Sequence, residues 1–77
     1  MKIYCITENS DLEVGLKLAG CEGITIQQDD NIEEKIEKVL QNKNIGILVI
    51  SKGIYEKAQD MINNIKLNKK FPLITII

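Results

Sequence analysis

Apolar and polar positions along the chain fall into two alternating registers, short compact runs and longer segments with helical spacing. Lys2–Ile6 is a compact apolar run and predicts a first strand, with Thr7-Glu8-Asn9 as the turn. Ser10 is then placed to cap a helix, and Glu13 three residues later completes a capping box. That helix carries Leu12, Leu16 and Ala19 on one stripe with Val14 and Leu18 beside it, and ends at Gly20, the residue type favoured just past a helix C-terminus. Gly15 in its interior costs about 1 kcal/mol relative to alanine, which predicts a close approach of the helix backbone to a neighbour, the sheet in preference to a partner.

Gly23–Gln27 alternates as a half-exposed edge strand does. Asp30 opens a second helix with Glu33 in the capping-box position. Ile32, Ile36, Val39 and Leu40 share one face, and Glu34 and Lys38 can pair at i, i+4. Asn44–Ser51 is the most apolar stretch: five of its eight residues are Ile, Leu or Val, which suits a strand buried on both faces. Ser51 can cap a third helix whose buried stripe is Ile54, Ala58, Met61, Ile62 and Ile65, with Lys66, Lys69 and Lys70 near its C-terminus. After Pro72 a last apolar run, Leu73–Ile77, predicts the fourth strand.

The order is therefore β-α-β-α-β-α-β. Right-handed crossovers convert it into a small α/β domain spanning residues 1–77, a four-stranded parallel sheet in the order 2-1-3-4 with helices on both faces, Rossmann-like or flavodoxin-like. In that arrangement the last strand lies at the edge yet is apolar on both faces, an aggregation hazard unless covered. The expectation is a C-terminal extension, a packing partner, or self-association through that strand.

Composition narrows the function classes more than it names one. The chain is 44% hydrophobic and 27% charged with net charge −1, which provides no electrostatic footprint for nucleic acid. All ten basic residues are lysines, so bidentate guanidinium forks are unavailable. Histidine is absent, removing the commonest general base and metal ligand. No apolar run is long enough to span a bilayer, and the expected location is the cytoplasm.

The candidate chemistry is sparse. Cys5 is expected beside residue 26, about 16 Å from Cys21, too far for a disulfide; both thiols are expected free, Cys5 buried and unreactive. Glu8 and Asn9 follow the first strand, where doubly wound proteins place functional groups. A receiver-type phosphorylation site needs two acids there, an aspartate after the third strand and a lysine after the fourth. This chain has Glu8 and then Ser51, and it reaches Ile77 before any lysine. Ser51-Lys52-Gly53 is a weak anion-site candidate, and Asp29-Asp30 reads as a helix cap. No catalytic residue, metal site or cofactor site is expected.

Two segments exceed generic α/β patterning. They are Gly15-Leu16-Lys17-Leu18-Ala19-Gly20 and Asn44-Ile-Gly-Ile-Leu-Val-Ile-Ser-Lys52, the second followed by Gly53-Ile54 and later by Phe71-Pro72-Leu73-Ile74. With Met1-Lys2-Ile3 they resemble the F-subunit family of the bacterial and archaeal A/V-type rotary ATPases. That family shows a Gly-aromatic-Arg-Leu-Ala-Gly element, an Ile-Gly-Ile-Leu-aliphatic-Ile strand and a Leu-Pro-Leu-Ile-like last strand. Leu16, Lys17 and Phe71 depart from the pattern, and the chain is similar to the N-terminal domain without the C-terminal helical extension of family members.

The resemblance implies a non-catalytic component of the central rotor stalk. It would bind the long coiled-coil D-subunit of the stalk, connect indirectly to the A/B head and the membrane rotor, and couple ATP hydrolysis or synthesis to proton or sodium transport. Such a component has no active site, no nucleic-acid partner and no direct membrane insertion, and lies at the membrane periphery as part of the complex. The partner-interface positions expected on this basis are Gly15, Leu16, Lys17, Leu18, Ala19 and Gly20, with Lys52 and Tyr55 at the start of the third helix. The alternative is a stand-alone flavodoxin-like or receiver-like signalling or binding domain.

Overall fold

The computed structural model describes residues Met1–Ile77. The elements follow in the order β1 (Lys2–Thr7), α1 (Ser10–Leu18), β2 (Glu22–Thr25), α2 (Ile32–Leu40), β3 (Ile45–Ile50), α3 (Lys52–Lys57), α4 (Gln59–Asn68) and β4 (Leu73–Ile76). The four strands form one parallel sheet in the order β2-β1-β3-β4, as the alternation of strands and helices predicts. The fold is α/β and Rossmann-like.

Cross-strand register sorts the side chains onto two faces. Partners in a parallel ladder point the same way, and successive residues point oppositely. Tyr4, Leu48 and Ile74 form one row, and Ile24, Ile6, Ile50 and Ile76 another, all on one face. There they meet Ile36 and Val39 of α2, Ile54 of α3 and Ile62 and Ile65 of α4 in the hydrophobic core. The opposite face carries the row Ile3, Ile47, Leu73 and the row Gly23, Cys5, Val49, Thr75. Only α1 lies on that side, against β1 and β2.

Local chemistry explains where the helices begin and end, with three corrections to the sequence reading. Asn9, not Ser10, caps α1: its Oδ1 accepts from the backbone N–H groups of Asp11 (2.9 Å) and Leu12 (3.3 Å). Glu13 is accordingly released from capping and accepts a hydrogen bond from Thr25 Oγ1 at 2.5 Å. Asn31, not Asp30, caps α2, accepting from Glu34 N–H at 3.1 Å, while Asp30 closes the preceding turn by accepting from Gln27 N–H. The third predicted helix is two helices, interrupted at Ala58 (φ −138°, ψ 36°), with no glycine or proline marking the break. Of the expected stripe, Ile54, Ala58, Ile62 and Ile65 are buried across the break, and Met61 is only partly buried against the core.

The end of α1 follows its sequence signal closely. Gly20 adopts φ 95°, and Gly20 N–H donates to Lys17 O while Cys21 N–H donates to Leu16 O, the paired bonds of a Schellman motif. The expected Glu34–Lys38 pair does not form; the ion pairs are Glu13–Lys17 at 2.5 Å and Lys2–Glu22 at 3.1 Å.

Candidate functional site

The C-terminal edge of the sheet, where β1 and β3 diverge to opposite sides, is the position at which open α/β sheets bind ligands. Thr7 is buried at the end of β1, and its Oγ1 accepts from Asn9 N–H at 3.0 Å, fixing the turn that carries Glu8. Ser51, buried at the end of β3, does not use its hydroxyl to cap α3 as the sequence suggests. It donates to Glu8 Oε2 at 2.8 Å, tying the two strand ends together. Gly53 leaves room for this carboxylate, since a Cβ there would stand 2.6 Å from Glu8 Oε2. Beside this contact is a crevice of about 480 Å³ whose lining includes Ser10, Gln27, Asp30 and Lys57 over Ile26 and Ile54. No group of three or more Asp, Glu, Cys or His converges on a metal position.

Cys5 pairs with Gly23, not with residue 26, because β2 starts one residue earlier than expected and is shifted in register. Cys21 is therefore two residues away along the neighbouring strand, a Cα separation of about 8 Å, nearer than expected but still beyond disulfide reach. Both thiols are free, and burial pushes the Cys5 thiol up from its ordinary pKa. Tyr4 is likewise raised, by burial and then by the Glu22 carboxylate.

The expected interface positions on α1 lie together. Leu12 and Leu16 are only partly buried, while Val14, Gly15, Lys17, Leu18, Ala19 and Gly20 are exposed, so α1 has no fully buried residue. Gly15 does not make the predicted close approach to the sheet: a Cβ at that position would meet nothing within 4 Å. The glycine that does is Gly23, where a Cβ would stand 2.7 Å from the Cys5 carbonyl oxygen. Sequence alone missed Gly23 because an edge strand gives no sign of what crosses next to it. Its spacing from Cys5 becomes visible only with the register known.

At 3.6 residues per turn, Glu13 and Gly15 occupy opposite flanks of α1. Glu13 faces β2 through Thr25, and Gly15 lies on the flank of α1 turned away from it, in open space. The Glu13 carboxyl is held below its usual range, first by the Lys17 ammonium and then by the Thr25 hydroxyl, and Lys17 is raised in return by Glu13.

Lys52 and Tyr55 lie on α3, apart from the α1 positions, and are held differently from each other. Lys52 is exposed, and its backbone N–H donates to Ile77 O at 2.9 Å. Tyr55 is half-buried against the core and its hydroxyl donates to Asn63 Oδ1 at 2.8 Å.

No helix is long and apolar enough to cross a membrane. No curated protein and no solved structure matches the chain. Residues 3–77 do match the family described as ATP synthase (F/14-kDa) subunit. That match takes in the Gly15–Gly20 element, the β3 strand and the Pro72-Leu73-Ile74 segment, and with it the chain belongs to the ATP synthase F-subunit family of V/A-type ATPases.

Proposed function

We propose that this chain is the non-catalytic central-stalk component of a V/A-type ATPase or ATP synthase. In this reading it binds the D-subunit, turns with it, and transmits rotation between the ATP-hydrolysing A/B head and the proton- or sodium-translocating membrane rotor. It acts from the cytoplasm, at the membrane periphery, as one α/β domain. The observation that carries the reading is the family match over residues 3–77. The crevice at the sheet edge supports it as well, because the two side chains aimed at each other there, Glu8 and Ser51, form a structural clasp between β1 and β3.

The contact region proposed for the D-subunit is the run Gly15-Leu16-Lys17-Leu18-Ala19-Gly20, exposed at every position but the partly buried Leu16, with Lys52 and Tyr55 as secondary positions. Exposed apolar side chains with no packing role of their own are where a partner gains most from burial, and Leu18 is 85% exposed. Titration calorimetry of the full chain against the cognate D-subunit tests the proposal. A one-to-one complex is expected, weakened at least tenfold by Leu18→Glu; a full chain that does not bind the D-subunit overturns it.

A further inference from the structure

The net charge of −1 conceals an uneven distribution. A helix in a crossover connection runs back against its strands, so helix C-termini gather at the edge where the strands begin. Lys17, Lys38 and Lys66 stand there in the last turns of α1, α2 and α4, while the first turns of the same helices carry acids. Attraction to the helix dipole accounts for that pattern. Lys43, Lys69 and Lys70 belong to the same edge but lie past the helix ends, in the segments leading into β3 and β4, where the attraction has fallen off.

These three lysines line one groove of about 280 Å³ whose apolar wall includes Leu40, Ile45 and Pro72. All three are exposed, and none joins an ion pair; the pairs are Lys2–Glu22 and Lys17–Glu13. Phe71 lines the same groove and is 59% exposed. Like charges gathered without a counter-charge repel one another, a cost that the fold itself does not offset here.

We propose that this groove docks an acidic segment of a protein partner, its carboxylates set among Lys43, Lys69 and Lys70 and an aliphatic side chain laid on Phe71. Charge complementarity and the make-up of the groove select that occupant. The apolar wall is surface that a bare inorganic anion leaves in water. A membrane is flat and leaves a groove unfilled, and the net charge of −1 disfavours nucleic acid. The groove is separate from the run proposed for the D-subunit, because α1 packs on the other face of the sheet. It is separate also from Ile77, whose carbonyl meets the Lys52 N–H at the opposite edge.

Fluorescence anisotropy of a fluorescein-labelled Glu-Glu-Leu-Glu-Glu-Leu-Glu-Glu peptide with the full chain tests this. A dissociation constant of about 10–100 μM at about 50 mM salt is expected, weakened at least fivefold at about 300 mM. Lys69→Glu combined with Lys70→Glu should abolish binding and keep the wild-type circular dichroism, since both side chains are exposed. Phe71→Ala should weaken binding at least threefold at either salt concentration, an effect that charge attraction alone would not show. Lys57→Glu, at the opposite edge, should change it less than twofold. The double variant should still bind the D-subunit, so this proposal and that reading fail separately. A wild-type chain that does not bind the peptide, or equal losses in Lys57→Glu and the double variant, would overturn the proposal. So would inorganic tripolyphosphate competing as well as unlabelled peptide, or tighter binding to phosphatidylserine vesicles than to the peptide.

Discussion

The two faces of the sheet are made from the same strands and nearly the same residue types, yet they end in different environments. On one, Ile6, Leu48 and Ile50 are completely enclosed beneath α2, α3 and α4. On the other, Cys5 of β1 is buried on the side that carries α1, while Ile3, Leu73 and Ile77 are exposed. The difference is one of topology, not of composition. In the order β2-β1-β3-β4, the connections into β3 and β4 place their helices on one side, and only the β1-to-β2 connection crosses on the other. An apolar strand residue contributes stability only when an element is available to cover it.

The contrast is most directly broken by truncating one residue on each face. Leu48→Ala should cost about 2–5 kcal/mol, the range for a fully buried aliphatic side chain, whereas Leu73→Ala should cost less than about 0.5 kcal/mol. Urea unfolding of the two variants measures both. Equal losses would mean that the second face is covered in solution.

The α1 side can be probed more finely through its two glycines. Gly23→Ala should destabilise by about 1–3 kcal/mol, because its Cβ meets the rigid Cys5 backbone. Gly15→Ala should stabilise by about 0.4–1 kcal/mol, since the new methyl enters open space in a helix interior. Thermal unfolding separates the two by sign. If Gly15→Ala also weakens D-subunit binding while raising stability, the glycine is kept for its partner and not for the fold.

The smallest effect is electrostatic. Glu13 has a lower pKa folded than unfolded, so its contribution is fully present above the unfolded value of about 4.3 and is lost as pH falls through the depressed folded value. Stability measured between pH 6 and 2 should therefore decline less steeply in Glu13→Gln. The effect belongs to the Glu13, Lys17 and Thr25 contact on α1.

Much of the fold was legible beforehand because strand and helix periods are local properties. Ile45–Ile50 declared itself through a continuous β-branched run, α2 through its i, i+4, i+7 stripe, and the end of α1 through Gly20. The helix starts were displaced by a residue because Asn9 and Ser10, or Asp30 and Asn31, are adjacent capping residues of similar strength. Ala58 gave no warning of the break between α3 and α4, being a good helix former. At the candidate site, Glu8 and Ser51 could each be placed at a strand end, but their hydrogen bond joins residues 43 apart in sequence.

By itself the sequence determined the element order, the parallel sheet and its 2-1-3-4 arrangement, because hydrophobic period and crossover handedness leave little freedom. It also carried the motif set that places the chain in its family. Only the tertiary structure decided the register that sets Gly23 against Cys5, the use of Ser51 to hold Glu8, and which face of β3 and β4 is left open. These depend on distances between residues far apart in the chain, and burial belongs to whichever elements happen to stack, a property no local pattern encodes.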